Sequence, residues 1–261
     1  MSELTDTVRE AVALFAARDR QLARFGARRH GYQFGAPLAA TRLDELEAAA
    51  NVRFPDDYRE HVTALGDGGA GPYHGLLPLD HPVQRRLAAG AFRASDPYAG
   101  GAVGLGHLGC GYIAILIVDP ASDARGQVWI DVRGAGAGVV RAYPSFRHYV
   151  TDWLTRLAHA EWLEPFVPAG ACALPHALSA YFRAVEQREG LADGEIAGDA
   201  MRAALDAIPD GGIATTHDGT TPFFEAGDRV DLCVACERLA ENLGLRRTTI
   251  ADGIAPIPGR D

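Results

Sequence analysis

Tyr112-Ile113-Ala114-Ile115-Leu116-Ile117-Val118 is an unbroken apolar run of strand length, with no polar face to turn toward water. Such a run predicts a strand buried on both faces. Asp119-Pro120 then turns the chain, and Gly126-Gln127-Val128-Trp129-Ile130-Asp131-Val132 alternates polar and apolar as a second strand, so the two predict a hairpin. Val139 to Ala142 reads as a shorter strand. Ser145 is placed to cap a helix in which Phe146, Tyr149, Val150, Trp153, Leu154 and Leu157 make one wide apolar face. That face must pack on something, and the neighbouring sheet is the obvious surface. Helices, then strands, then a closing helix predict an α+β fold.

The helices come before the strands. Leu4, Val8, Ala11, Val12 and Phe15 recur at helical spacing after Ser2. Arg18 to Arg29 is basic and uneven, and Gly31 to Pro37 reads as a loop. Thr41 with Asp44 three residues later has the spacing of a capping box, and Asn51 ends that helix. Phe54-Pro55-Asp56-Asp57 opens the next helix: proline costs no hydrogen bond there, and the helix dipole favours the two carboxylates. Tyr58, Val62 and Leu65 line its inner side, and Gly66 supplies the stop.

A glycine-rich stretch follows, Gly66 to Asp80, GDGGAGPYHGLLPLD. A helix ends into it and does not start from it, so it lacks the geometry of a phosphate cradle. It is expected to form a rigid corner between helix and sheet. Ala88 to Gly106, rich in Ala, Gly, Ser and Pro, reads as a long loop.

All 25 basic residues are arginine, and the absence of lysine excludes an internal pyridoxal Schiff base, a GxxxxGK[ST] loop and the kinase ATP-positioning lysine. The formal charge is −9. Residues 40 to 165 and 166 to 261 are both net acidic, which disfavours nucleic acid and favours a basic protein partner. The charged N-terminus and the lack of any membrane-length apolar run lead to the expectation of a cytoplasmic protein that does not bind membrane. His107 and Cys110 are the closest base and thiol, but their glycine-flanked setting beside a strand gives no catalytic site, and the expectation is that the protein is not an enzyme.

Taken in order, LEAAANVRFPDDYREHV, GDGGAGPYHGLLPL, HLGCGYIAILIV, GQVWIDVR and PSFRHYVTDWL resemble the SUKH superfamily, specifically its Smi/Knr-type domain. The resemblance covers residues 1 to 163 and implies a compact α+β domain with an antiparallel sheet. It also implies a protein-binding role. Bacterial members are immunity proteins that bind and block a cognate polymorphic or contact-dependent toxin, and the fungal relative regulates cell-wall assembly through protein contacts. The family supplies no catalytic residues. What carries over onto this chain is the loop Asp67, Gly68, Gly69, Gly71 and Tyr73, together with Gly109, Gly111 and Trp129; the glycines serve turns and Tyr73 and Trp129 are core or edge aromatics, or the exposed part of the loop binds a partner.

Residues 164 to 261 form an extension outside the resemblance, with Pro165, Pro168, Gly170 and Pro175 as linker marks. Leu178, Tyr181, Phe182 and Val185 predict one helix; Ile196, Met201, Leu205 and Ile208 predict another. Pro222 to Val230 reads as a short β-hairpin, and Cys233-Val234-Ala235-Cys236 leads into a helical run. A Cys-x-x-Cys there has two chemical readings, a dithiol redox pair or half of a structural zinc site. For zinc the candidate ligands are Cys233 and Cys236 with Cys172 and His176, or with His217.

Overall fold

The computed structural model describes residues 3–80, 82–133, 138–159, 173–216, 221–224 and 227–246. The chain is α+β. Five helices come first: α1 (Glu3–Arg18), α2 (Ala27–His30), α3 (Ala40–Ala50), α4 (Asp56–Ala64) and α5 (Pro82–Ala88). Four strands follow, β1 (Ala102–Gly109), β2 (Tyr112–Ile117), β3 (Val128–Asp131) and β4 (Val139–Tyr143). They form one antiparallel sheet in chain order, so each neighbouring pair is joined directly. Then come α6 (Phe146–Ala158), α7 (Ala173–Glu189), α8 (Gly198–Asp206) and α9 (Val234–Asn242). No helix among the described residues is long and apolar enough to cross a membrane.

Every residue of β2 is buried, and its alternation sorts the core into two layers. Ala114, Leu116 and Val118, with Val103, Leu105, Val128 and Ile130, face the helices. There α6 presents Phe146, Tyr149, Val150, Trp153, Leu154 and Leu157, all buried, and the Ser145 hydroxyl accepts the His148 N–H at 3.3 Å, as its sequence predicts. Ile113, Ile115 and Ile117 point the other way, onto Phe224 and Val230 of the extension, with Phe92, Tyr98, Trp129 and Phe223 at the margin. The extension also reaches the helix-side core through Leu174, Leu178, Leu205 and Ile208.

Several local expectations change. The segment expected as loop up to Gly106 holds the first five residues of β1, whose low strand propensity comes from Gly104 and Gly106. Both glycines are demanded by neighbours: a Cβ at 104 would overlap the Phe223 ring, and one at 106 would lie 2.5 Å from the Gly75 carbonyl oxygen. In α3 the helix begins at Ala40 with Ala39 as N-cap and no side-chain cap, so Thr41 lies inside the first turn. Asp44 pairs with Arg59 at 3.1 Å in place of a capping role, while Asn51 ends the helix in the left-handed region as expected. Gly66 is required by close approach to Gly35, not by a left-handed φ. Pro175 sits in the first turn of α7, where its missing N–H costs nothing. Pro165, Pro168 and Gly170 lie outside the described residues. The hairpin expected over 222–230 is reduced, among the described residues, to one bridge between Thr216 and Arg229, with Val230 N–H donating to the Thr215 carbonyl at 2.9 Å.

Candidate functional site

The glycine-rich stretch is laid into the sheet. Single antiparallel bridges run Phe34 to Gly69, Gly69 to Leu76 and Leu76 to Gly106, which extends the sheet outward from β1. Leu77 N–H donates to the Leu105 carbonyl at 2.7 Å and His74 N–H to the His107 carbonyl at 3.2 Å. Gly68, Gly69, Gly71 and Tyr73 are therefore buried, Tyr73 with only 1% of its surface exposed, and these four present no contact surface. Asp67 keeps some exposure, yet its carboxylate accepts the N–H groups of Leu79 (2.6 Å) and Asp80 (3.1 Å). Burial raises its pKa, against those two bonds. Backbone pairing is the physical reason: a stretch that serves as extra strand spends its polar groups inside the fold.

The same edge segment carries His74 to a second set of residues. The β1–β2 turn is Gly109-Cys110-Gly111, with φ of 90°, 52° and 79°, so three successive residues are left-handed and Cys110 is held at the tip. A Cβ on Gly109 would overlap the Leu232 carbonyl, and the Cys110 N–H donates to the Asp231 carbonyl at 2.6 Å. The turn is thus seated on the segment that enters α9. Cys233 is the N-cap of α9 and Cys236 lies in its first turn. The sulfurs of Cys110, Cys233 and Cys236 all lie within 4.8 Å of one another. Those of Cys110 and Cys236 are 3.7 Å apart, and the Cys233 N–H donates to Cys110 Sγ at 3.3 Å. Cys233 and Cys236 are buried and Cys110 is half-buried.

Beside the thiols stand His74, His107 and Asp231, whose ligand atoms also lie within 4.8 Å of one another. The Asp231 carboxylate is gripped by the Arg29 guanidinium through two bonds of 2.6 and 2.5 Å, which pins α2 to the extension. His74 Nε2 lies 3.0 Å from the Leu232 carbonyl and its ring stacks on His107 at 5.5 Å. Burial pulls His74 below the ordinary histidine pKa, the Asp231 charge opposing. His107 is buried with its ring edge-on to Phe224 at 5.0 Å.

Of the zinc candidates read from sequence, Cys233 and Cys236 are brought together with a third thiol, that of Cys110. His176 is exposed on α7; Cys172 and His217 lie outside the described residues. Sequence reasoning paired Cys110 with His107 and passed over its link to the Cys-x-x-Cys, which spans 123 positions. The signal available was the flanking Gly109 and Gly111, which mark a tight turn with a thiol at its tip. No family model, curated protein or solved structure matches the chain.

Proposed function

We propose that the protein is a non-catalytic, protein-binding member of the SUKH type, an immunity protein that binds and neutralises a cognate polymorphic or contact-dependent bacterial toxin. The observation that carries this reading is the ordered motif set. Its five stretches fall in turn on α3–α4, the sheet-edge segment, β1–β2, β3 and α6 of one continuous unit. The absence of lysine supports the non-catalytic part, since it removes several covalent and phosphoryl-transfer chemistries.

With the glycine loop interior, the partner surface is sought elsewhere. Glu189, Asp193, Glu195, Asp199, Asp206 and Asp210 are all exposed along the α7–α8 turn and α8, with Arg202 as the one basic residue between Glu189 and Asp210. Glu189 pairs with Arg188 and Asp210 with Arg246, and the net acidic edge that remains, centred on Asp193, Glu195 and Asp199, attracts a basic partner and speeds encounter. The test is co-expression with the C-terminal domain of a toxin encoded beside this gene, read by survival of the host and co-elution of the two proteins. Protection with a stable complex supports the reading; an active toxin domain that neither binds nor is blocked overturns it. Replacing Asp193, Glu195 and Asp199 together by Arg is expected to slow association roughly tenfold at low salt, and less at high salt.

A further inference from the structure

We propose that Cys110, Cys233 and Cys236 form a three-thiolate site for a thiophilic divalent ion of tetrahedral preference, Zn²⁺ above all, which clips the extension onto the β1–β2 turn. The geometry fits an ion at the centre of the three sulfurs. Two thiolates held at about 2.3 Å from zinc in a tetrahedron stand about 3.8 Å apart, and Cys110 Sγ and Cys236 Sγ are 3.7 Å apart. The backbone favours anionic sulfur: Cys233 N–H points at Cys110 Sγ, and Cys233 and Cys236 stand at the N-terminus of the nine-residue α9, where the helix dipole is positive. On binding, the three thiols release three protons to solvent as three sulfur–metal bonds form.

The adjacent His74, His107 and Asp231 set is the weaker claimant. Asp231 is already neutralised by a two-bond Arg29 pair, and a guanidinium beside a dication would repel it. Among the described residues three sulfurs converge, and the fourth position of the tetrahedron falls to a further donor. The location gives the ion a structural task. Cys110 belongs to the sheet, whereas Cys233 and Cys236 follow directly on Val230, which with Phe224 covers the sheet's second face. The site is independent of toxin binding, and either reading can fail alone.

The full chain, purified without chelator, is analysed for metal and then reconstituted with Co²⁺ after metal removal under reducing conditions. One zinc per chain and a cobalt spectrum with the charge-transfer intensity of three thiolates are the expected results. Cys110, Cys233 and Cys236 should resist a thiol reagent until chelator is added. Cys110→Ser, Cys233→Ser and Cys236→Ser should each lose the ion. Because a serine variant can lose metal by misfolding, the wild-type cobalt spectrum decides. No thiolate band, or the intensity of two thiolates only, overturns the site, as does metal retained by Cys110→Ser or a Cys110–Cys236 disulfide in the chain as purified.

Discussion

The two faces of the sheet are covered by different means. On one side α1, α4 and α6 lay down regular stripes, so that Trp153, Tyr149 and Phe146 are buried within a layer of helices. On the other side Ile113, Ile115 and Ile117 are covered by irregular chain, Phe92 and Tyr98 from the loop before β1 and Phe223, Phe224 and Val230 from the extension. A helix layer is rigid by itself, while an irregular cover stays in place only through side-chain anchors and ties such as Arg29–Asp231. Mutations of equal chemistry should therefore cost more on the helix face than on the extension face.

The largest effect is expected at Trp153, which is 1% exposed against the helix-side core. Trp153→Ala is expected to cost about 3–5 kcal/mol, read as a shift of the denaturant midpoint. A loss under about 1 kcal/mol would mean that this layer is no more tightly packed than its opposite.

Next in size is an acid limb owed to His61. Its ring lies against Phe146 at 5.1 Å and Phe34 at 6.1 Å, and burial depresses its pKa to about 4. The sign follows from proton counting. Between the ordinary histidine value near 6.5 and about 4, the unfolded chain binds a proton that the folded chain refuses, so stability falls as pH drops through that window. The full loss is on the order of 3 kcal/mol. His61→Gln should reduce the slope between pH 6.5 and 4, leaving the part that buried His74 supplies; an unchanged slope would place the titrating group elsewhere.

What could be read from sequence divides along the same line. The α6 stripe and its Ser145 cap, the Pro55 entry to α4 and the β2 run were legible because each element declares itself within its own span of residues. β1 was not, because Gly104 and Gly106 answer to Phe223 and Gly75, residues far off in the chain. The four-residue α2 was missed because it is too short to show a period. Tyr73 was legible as a core or edge aromatic, and its place in the interior comes from the edge segment joining β1. Cys110 was read beside His107 alone, because only the tertiary fold brings it to Cys233 and Cys236.

Gly106 and Gly104 bring the comparison down to single methyl groups on one strand. At Gly106 the obstacle is backbone, the Gly75 carbonyl oxygen at 2.5 Å, which cannot move without breaking the edge pairing. Gly106→Ala is expected to cost about 1–3 kcal/mol. At Gly104 the obstacle is the far end of the Phe223 ring, which can swing aside, so Gly104→Ala is expected to cost about 1 kcal/mol or less. In a Phe223→Ala background the same change should become neutral or stabilise by about 0.5 kcal/mol, since alanine loses less backbone entropy than glycine on folding. The four stabilities close a double-mutant cycle with an expected coupling of about 0.5–1 kcal/mol. Additivity within about 0.3 kcal/mol would show that Phe223 does not rest on β1. The ring would then not anchor the irregular cover to the sheet, and the contrast between the two faces would need a different physical cause.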